Sequence, residues 1–442
     1  MKRILSLFFI AGIFAATLGA QIAPNVVRAK ISGVDVLIYK TGVANVVTLR
    51  GSFPGGDAFA GEGNLAVPTL CGMLLDQGTA KQDKFAIAEQ LERVGATIDF
   101  SVSQQEVSVS AKCLKKDVAL VIGLIAEQLR SPAFTAEEFE KARAQYAGNL
   151  QRSLESTDFR AADAFGRAVF PPGHPNYSAP AAEVLAAIKT ATLADVKAFH
   201  AKHYGPAHFT LVLVGDVDPA AITAAATTAF AGWTGGVDYI HPPKAGSVDA
   251  QRVQSVFMAD KTSVSIVLGQ ASGLRYSDPD YQALRTATAI LGSGFTGRLM
   301  ANVRDKEGLT YGIGSRLAED TFSDGEWRIT ATFAPTKLEQ GITSTKRQLK
   351  LWYDNGVTDQ ELADRKTDLI GTYKVGLATT DGMAGQLLVT MQRGLDLGWM
   401  DDYPRQISAL TTQQVNAAIK KHVKPDDLVL IKAGTVPGAV EK

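Results

Sequence analysis

Apolar positions along this chain follow two rhythms. TIDFSVS (Thr97–Ser103) and EVSVSAKCL (Glu106–Leu114) alternate at period two, which predicts strands with one buried face. VDVLIYK (Val34–Lys40) and NVVTLRGSF (Asn45–Phe53) read as strands meeting at a hairpin. Helical spacing takes over at Phe85–Val94, stopped by Gly95, and at Asp117–Leu129, stopped by Ser131-Pro132. The second half repeats the pattern: SIVLGQ (Ser265–Gln270), a helix near Tyr281–Leu291, then GIGSRLA (Gly312–Ala318) and WRITATFA (Trp327–Ala334).

The repetition extends to the letters. TAEEFEKARAQYAGNL starts at Thr135 and TDQELADRKTDLIGTY at Thr358; Thr135, Glu138 and Gly148 match Thr358, Glu361 and Gly371, 223 residues on. Each opens with Thr-x-x-Glu, a helix-starting capping box. TLADVKAFHAKHYGPAHFTLVLVGDVDP, from Thr192, and TTQQVNAAIKKHVKPDDLVLIKAGTVP, from Thr411, repeat at an offset of 219 as helix, basic turn with proline, and apolar strand ending in Gly215 or Gly434. Two homologous domains follow, 21–234 and 250–442, with GGVDYIHPPKAG inside a linker at 235–249. Hairpins with helices grouped after them predict α+β domains, each an antiparallel sheet covered on one face, without the βαβ alternation of a doubly wound sheet.

Composition adds a compartment and removes a class of partner. Among 442 residues, 46% are hydrophobic, 20% are charged and the formal net charge is zero, so bulk electrostatics offers nucleic acid no support. Lys2 and Arg3 precede ILSLFFIAGIFAATLG, with small residues before Gln21. This predicts a secretory signal over 1–20 and a periplasmic or secreted chain with no membrane contact after cleavage. An uncleaved anchor is the weaker reading, because the apolar run is shorter than the roughly 20 residues a spanning helix needs. Cys71 and Cys113 read as small buried residues, with a disulfide open in an oxidising compartment.

VRDKEGLTYG (Val303–Gly312) places Arg304 and Tyr311 where both could donate to one negative oxygen. The bland alternative pairs Arg304 with Asp305 or Glu307 and packs Tyr311 into a strand. LGSGFTG, with Gly292, Gly294 and Gly297, precedes it and permits close backbone approach, but lacks the Gly-Lys-Ser/Thr ending of a phosphate loop.

These pieces resemble the insulinase/pitrilysin family of zinc peptidases, which includes the mitochondrial processing peptidase and the core subunits of respiratory complex III. The resemblance rests on GSGFTGRLMANVRDKEGLTYGIGS together with GSFPGG, AVPTLCGMLLDQGT, RVGATIDFSVS and FPPGHPNY, in order from about residue 30 to 435. Active chains of that family carry His-x-x-Glu-His before a Gly-Thr, the histidines binding zinc and the glutamate acting as base. Anchored on Gly78-Thr79, the motif falls on Thr69 and Met73 for the histidines and Gly72 for the glutamate; Gly148-Asn149-Leu150, near the distal ligand, holds no carboxylate. His200, His203 and His208 cluster at a helix end, and His203 has His422 as its repeat counterpart; His174 and His241 have no evident partner. The resemblance therefore implies no metal in this chain, with zinc in a partner subunit. Arg304 and Tyr311 stand where the family carries its substrate-holding pair, with Gly292 and Gly294 shaping the cleft. It implies a non-catalytic subunit that binds unfolded peptide as an added strand on a sheet edge, beside a homologous zinc-carrying chain; the alternative is an inactive structural or peptide-binding protein.

Overall fold

A computed structural model describes residues 21–245 and 252–436. The expected signal segment 1–20, part of the expected linker and the last six residues lie outside the described residues. Residues 235–245 form neither helix nor strand.

The first sheet contains β1 (Val26–Ile31), β2 (Val34–Lys40), β3 (Val46–Pro54), β4 (Thr97–Val102), β5 (Glu106–Leu114) and β6 (Thr210–Gly215), in the order β1-β2-β6-β3-β5-β4. The second contains β7 (Val253–Phe257), β8 (Val264–Ala271), β9 (Thr310–Ala318), β10 (Glu326–Phe333) and β11 (Val429–Gly434), in the order β7-β11-β8-β10-β9. The period-two stretch Glu106–Leu114 is a strand that buries Val107, Val109, Ala111 and Cys113 on one face. Strand-ending glycines recur for the same reason. Gly215 has φ +144°, and a Cβ there would fall 2.0 Å from Val46 O; at Gly434, φ is +139° and the distance to Ser263 O is 2.6 Å. Only glycine tolerates both the backbone and the contact.

Two expectations need correction. The sheets are mixed, not purely antiparallel: β2 pairs β6 and β7 pairs β11 in parallel. Both faces of each sheet are also covered, because the two halves exchange a helix. The helix Thr157–Val169 of the first half lays Ala161, Phe165 and Val169 against Val267, Val429 and Ile431 of the second sheet. Its counterpart Thr380–Gln392 lays Met383, Ala384 and Leu387 against Leu37, Val212 and Val214 of the first. The caps match as the repeat requires: Ser156 Oγ accepts from Phe159 N, and Thr379 Oγ1 from Gly382 N. The larger core clusters fill the opposite face of each sheet. No helix among the described residues is long and apolar enough to cross a membrane.

Candidate functional site

The segment that carries Arg304 is an unusual helix. Met300–Lys306 is π-helical, and Glu307 N donates to Asn302 O at 3.0 Å. Such wide turns re-aim side chains, and here Arg304 lies between two aromatic rings. Its guanidinium carbon is 5.3 Å from the Tyr311 ring centroid and 5.5 Å from that of Phe295. Tyr311 is 89% exposed and Phe295 74%, so both rings stand in solvent. Of the two bland pairings, the one with Asp305 stands as a loose ion pair and the one with Glu307 does not form. Asp305 Oδ1 is 3.9 Å from Arg304, and Glu307 is taken by Arg347 at 2.5 Å. Sequence reasoning missed Phe295, although its place between Gly294 and Gly297 was the available signal.

The glycine-rich turn is held from behind. Arg365, buried on the helix Asp359–Gly376, donates to Ser293 O at 3.1 Å and lies 3.4 Å from Thr296 Oγ1. Arg298 makes two 2.6 Å bonds to the Glu361 carboxylate, whose pKa this contact lowers to about 2. Gly294 needs its left-handed φ of +68°. Gly292 faces inward: a Cβ there would sit 2.6 Å from Ser315 N.

At the position of the zinc motif, the short helix Val67–Met73 presents Thr69, Gly72 and Met73. Thr69 Oγ1 donates to Asp57 Oδ1 at 2.7 Å. Burial raises the Asp57 carboxyl to about 6, and the Thr69 bond opposes the rise. Tyr146, from the repeated long helix, joins this cluster; burial and the nearby Asp57 push its hydroxyl up to about 12. Gly72 is closed off, since a Cβ there would lie 2.2 Å from Val102 Cγ2. Asn149, near the distal position, is bonded by Arg152. One carboxylate, two hydroxyls and a thioether do not make a zinc donor set, and the general-base position has no room for a side chain. The residues do not fit the metal.

The remaining candidates are engaged structurally. His200 Nε2 donates to Leu129 O at 2.8 Å. His203 stacks on Phe199, and burial lowers its pKa to about 4. His422 meets Asp280 at 2.9 Å and His208 meets Asp238 at 3.3 Å. His174 and His241, expected to lack partners, have them: Asp324 at 3.2 Å and Asp238 at 3.9 Å. Asp324 lies 150 positions away, beyond any local pattern. Cys71 and Cys113 are buried free thiols.

Comparison with known proteins gives a family. Residues 41–168 match the model described as Insulinase (Peptidase family M16), and residues 190–369 match that of the Peptidase M16 inactive domain. A Helicobacter pylori protein named "Non-peptidase homolog YmxG" is 23% identical over 85% of this chain and 86% of its own. An uncharacterised zinc protease of Streptomyces coelicolor is 22% identical over 78% and 76%. A crystal structure of a peptidase M16 inactive domain from Pseudomonas fluorescens superposes with a TM-score of 0.84 at 27% identity, covering 95% of this chain and 99% of that one. A protease from Helicobacter pylori shares the fold at a TM-score of 0.82 and 18% identity, over 92% and 99%. With two family models in tandem order and the zinc-motif helix stripped of its ligands, the chain belongs to the insulinase/pitrilysin peptidase family as a non-catalytic member.

Proposed function

We propose that this chain is the non-catalytic partner subunit of an extracytoplasmic zinc-dependent peptidase. A homologous chain carrying His-x-x-Glu-His supplies the metal and the base. This chain supplies Arg304 and Tyr311, with Gly292 and Gly294 shaping the loop that presents them. The observation that carries the reading is the outward-facing pair: an arginine between two solvent-exposed rings, with the nearest carboxylate at 3.9 Å. Such donors stabilise the oxyanion of a peptide under attack, and removing one typically costs roughly 10²–10³ in turnover. The signal-like start of the sequence supports the compartment.

Co-expression with a His-x-x-Glu-His homologue tests it. Neither chain alone is expected to cleave an unfolded peptide efficiently, and the mixture is. Arg304→Ala should slow the mixed complex by that factor while its zinc content stays constant. Wild-type turnover by the mutant complex would remove the role. The name of the Helicobacter relative favours a second reading, an inactive scaffold or peptide-binding protein. Purification of this chain from its source without an attached metallopeptidase would support that one.

A further inference from the structure

A large cavity lies elsewhere among the described residues. It encloses about 1000 Å³ between the β4–β5 turn of the first half and the β9–β10 loop of the second, and neither Arg304 nor Tyr311 lines it. Its two ends differ in chemistry. On the first-half side are Asp57 and Glu106, with Glu319 at the rim across from them. None of these three carboxylates has a lysine, arginine or histidine nitrogen within 4.0 Å among the described residues. Asp57 accepts from the Thr69 hydroxyl, and Glu106 from the Gln392 amide and the Ser52 hydroxyl. The other side is aromatic: Trp399 meets Tyr276 edge-on, with ring centroids 5.5 Å apart, and lies tilted against Tyr403, with centroids 5.1 Å apart.

The cavity's two arginines do not answer those charges. Arg393 lies 3.4 Å over the Tyr276 ring and 3.6 Å from Asp320. Arg285 donates to the Tyr403 hydroxyl at 2.8 Å. Both are held on the aromatic side. The half-buried carboxylates opposite are left with hydroxyl and amide donors, and burial raises the pKa of each. Buried charge without a counter-ion is costly, so it persists where something else supplies the cation.

We propose that this cavity binds an organic cation, a primary amine or guanidinium on an aromatic or aliphatic body. The charged head meets Asp57 and Glu106, and the body lies on the Tyr276–Trp399–Tyr403 wall. A volume of this size fits small-molecule sites, which pair an apolar lining with a few polar groups. The site is internal to one chain and stands independently of the partner reading. Its position also gives the emptied zinc helix a use, because Asp57, which accepts from Thr69, lines the cavity.

Calorimetric titration of the whole mature chain tests it, with benzylamine as probe and benzyl alcohol as its uncharged counterpart. Saturable benzylamine binding is expected, with the alcohol at least about tenfold weaker. The double variant D57N/E106Q should weaken the amine by a similar factor and leave the alcohol unchanged. Should that variant not fold, Glu319→Gln at the exposed rim takes its place, with a smaller loss of amine affinity expected. Equal binding of the two probes, no saturable binding of the amine, or amine affinity unchanged in a folded variant overturns the proposal. None of these results depends on peptidase activity, so they separate this site from Arg304 and Tyr311.

Discussion

Thr48 in the first sheet and Thr380 in the second half share a buried hydrogen bond, Oγ1 to Oγ1 at 2.9 Å. The repeat reproduces it with the halves reversed: Thr157 Oγ1 lies 2.8 Å from Ser265 Oγ in the second sheet. Each pair sits where an exchanged helix begins. The exchange means that neither sheet is complete within its own half of the sequence. Produced alone, residues 21–245 would leave Leu37, Val212 and Val214 without the helix that covers them. Such a fragment should bind a hydrophobic dye and lack near-ultraviolet dichroism. Co-expressing both halves should restore it. A monodisperse fragment with native dichroism would show that the exchange is dispensable.

His174 and Asp324 make a second tie between the halves. The backbone N–H of Asn176 donates to His174 Nδ1 at 3.1 Å, so the proton sits on Nε2 and points at Asp324 Oδ1, 3.2 Å away. Ala245 N donates to the other carboxylate oxygen at 2.8 Å. These bonds hold the Asp324 carboxyl below its ordinary value despite burial. A carboxyl with a lowered folded-state pKa contributes stability that is present above the unfolded value, near 3.8, and is lost as pH falls through the folded one. His174→Ala should therefore destabilise the chain by about 1–3 kcal/mol at neutral pH. The gap between mutant and wild type should narrow in acid. Denaturant melts at several pH values check both, and a gap independent of pH would rule out the Asp324 linkage.

The sequence carried what repeats or alternates. Thr135 and Thr358 both cap helices, but the expected capping box closes only at Thr358–Glu361, because Glu138 turns to Lys84 and Lys141 instead; Glu106–Leu114 is a strand. It did not carry what depends on a distant neighbour. Ala161 and Met383 look like ordinary residues of amphipathic helices, and nothing local says that each faces the other half's sheet. His174 reads as solitary because its partner comes 150 positions later. Phe295 and Asp57 lie in glycine-rich turns, where no periodicity distinguishes a working side chain from a passive one. Arg304 and Tyr311 were legible as a pair through their spacing, and the structure adds the ring contact.

Gly72 shows why the zinc motif is not one substitution from return. The helix lies close enough to β4 that a Cβ at this position would overlap Val102 Cγ2 at 2.2 Å. Gly72→Ala should cost about 1–3 kcal/mol through overpacking, although alanine is the better helix former. Val102→Ala creates space at the same point, so the double variant should recover much of the loss. Thermal or denaturant melts of the two single variants and the double form the cycle. Additive costs would mean that the two side chains do not compete for one volume.

Asp57 gives the opposite pH dependence to Asp324. Its folded-state pKa, about 6, lies above the ordinary carboxyl value of 3.8, so the folded chain holds this proton more tightly than the unfolded one. Stability from this group is therefore fullest below pH 3.8 and declines as pH rises through about 6, as the carboxylate becomes charged in a site that hydrates it poorly. Asparagine keeps the acceptor for Thr69 Oγ1 and removes the charge. Asp57→Asn should thus stabilise the chain at pH 7 by on the order of 1–3 kcal/mol and leave it nearly unchanged at pH 4. Melting curves of the two proteins across that range decide the matter. Stabilisation at pH 4 equal to that at pH 7 would show that the gain is not electrostatic. Destabilisation at pH 7 would show that the charged carboxylate is not a net cost there; under the expected outcome, benzylamine added to the wild-type chain stabilises it and narrows its gap to the variant.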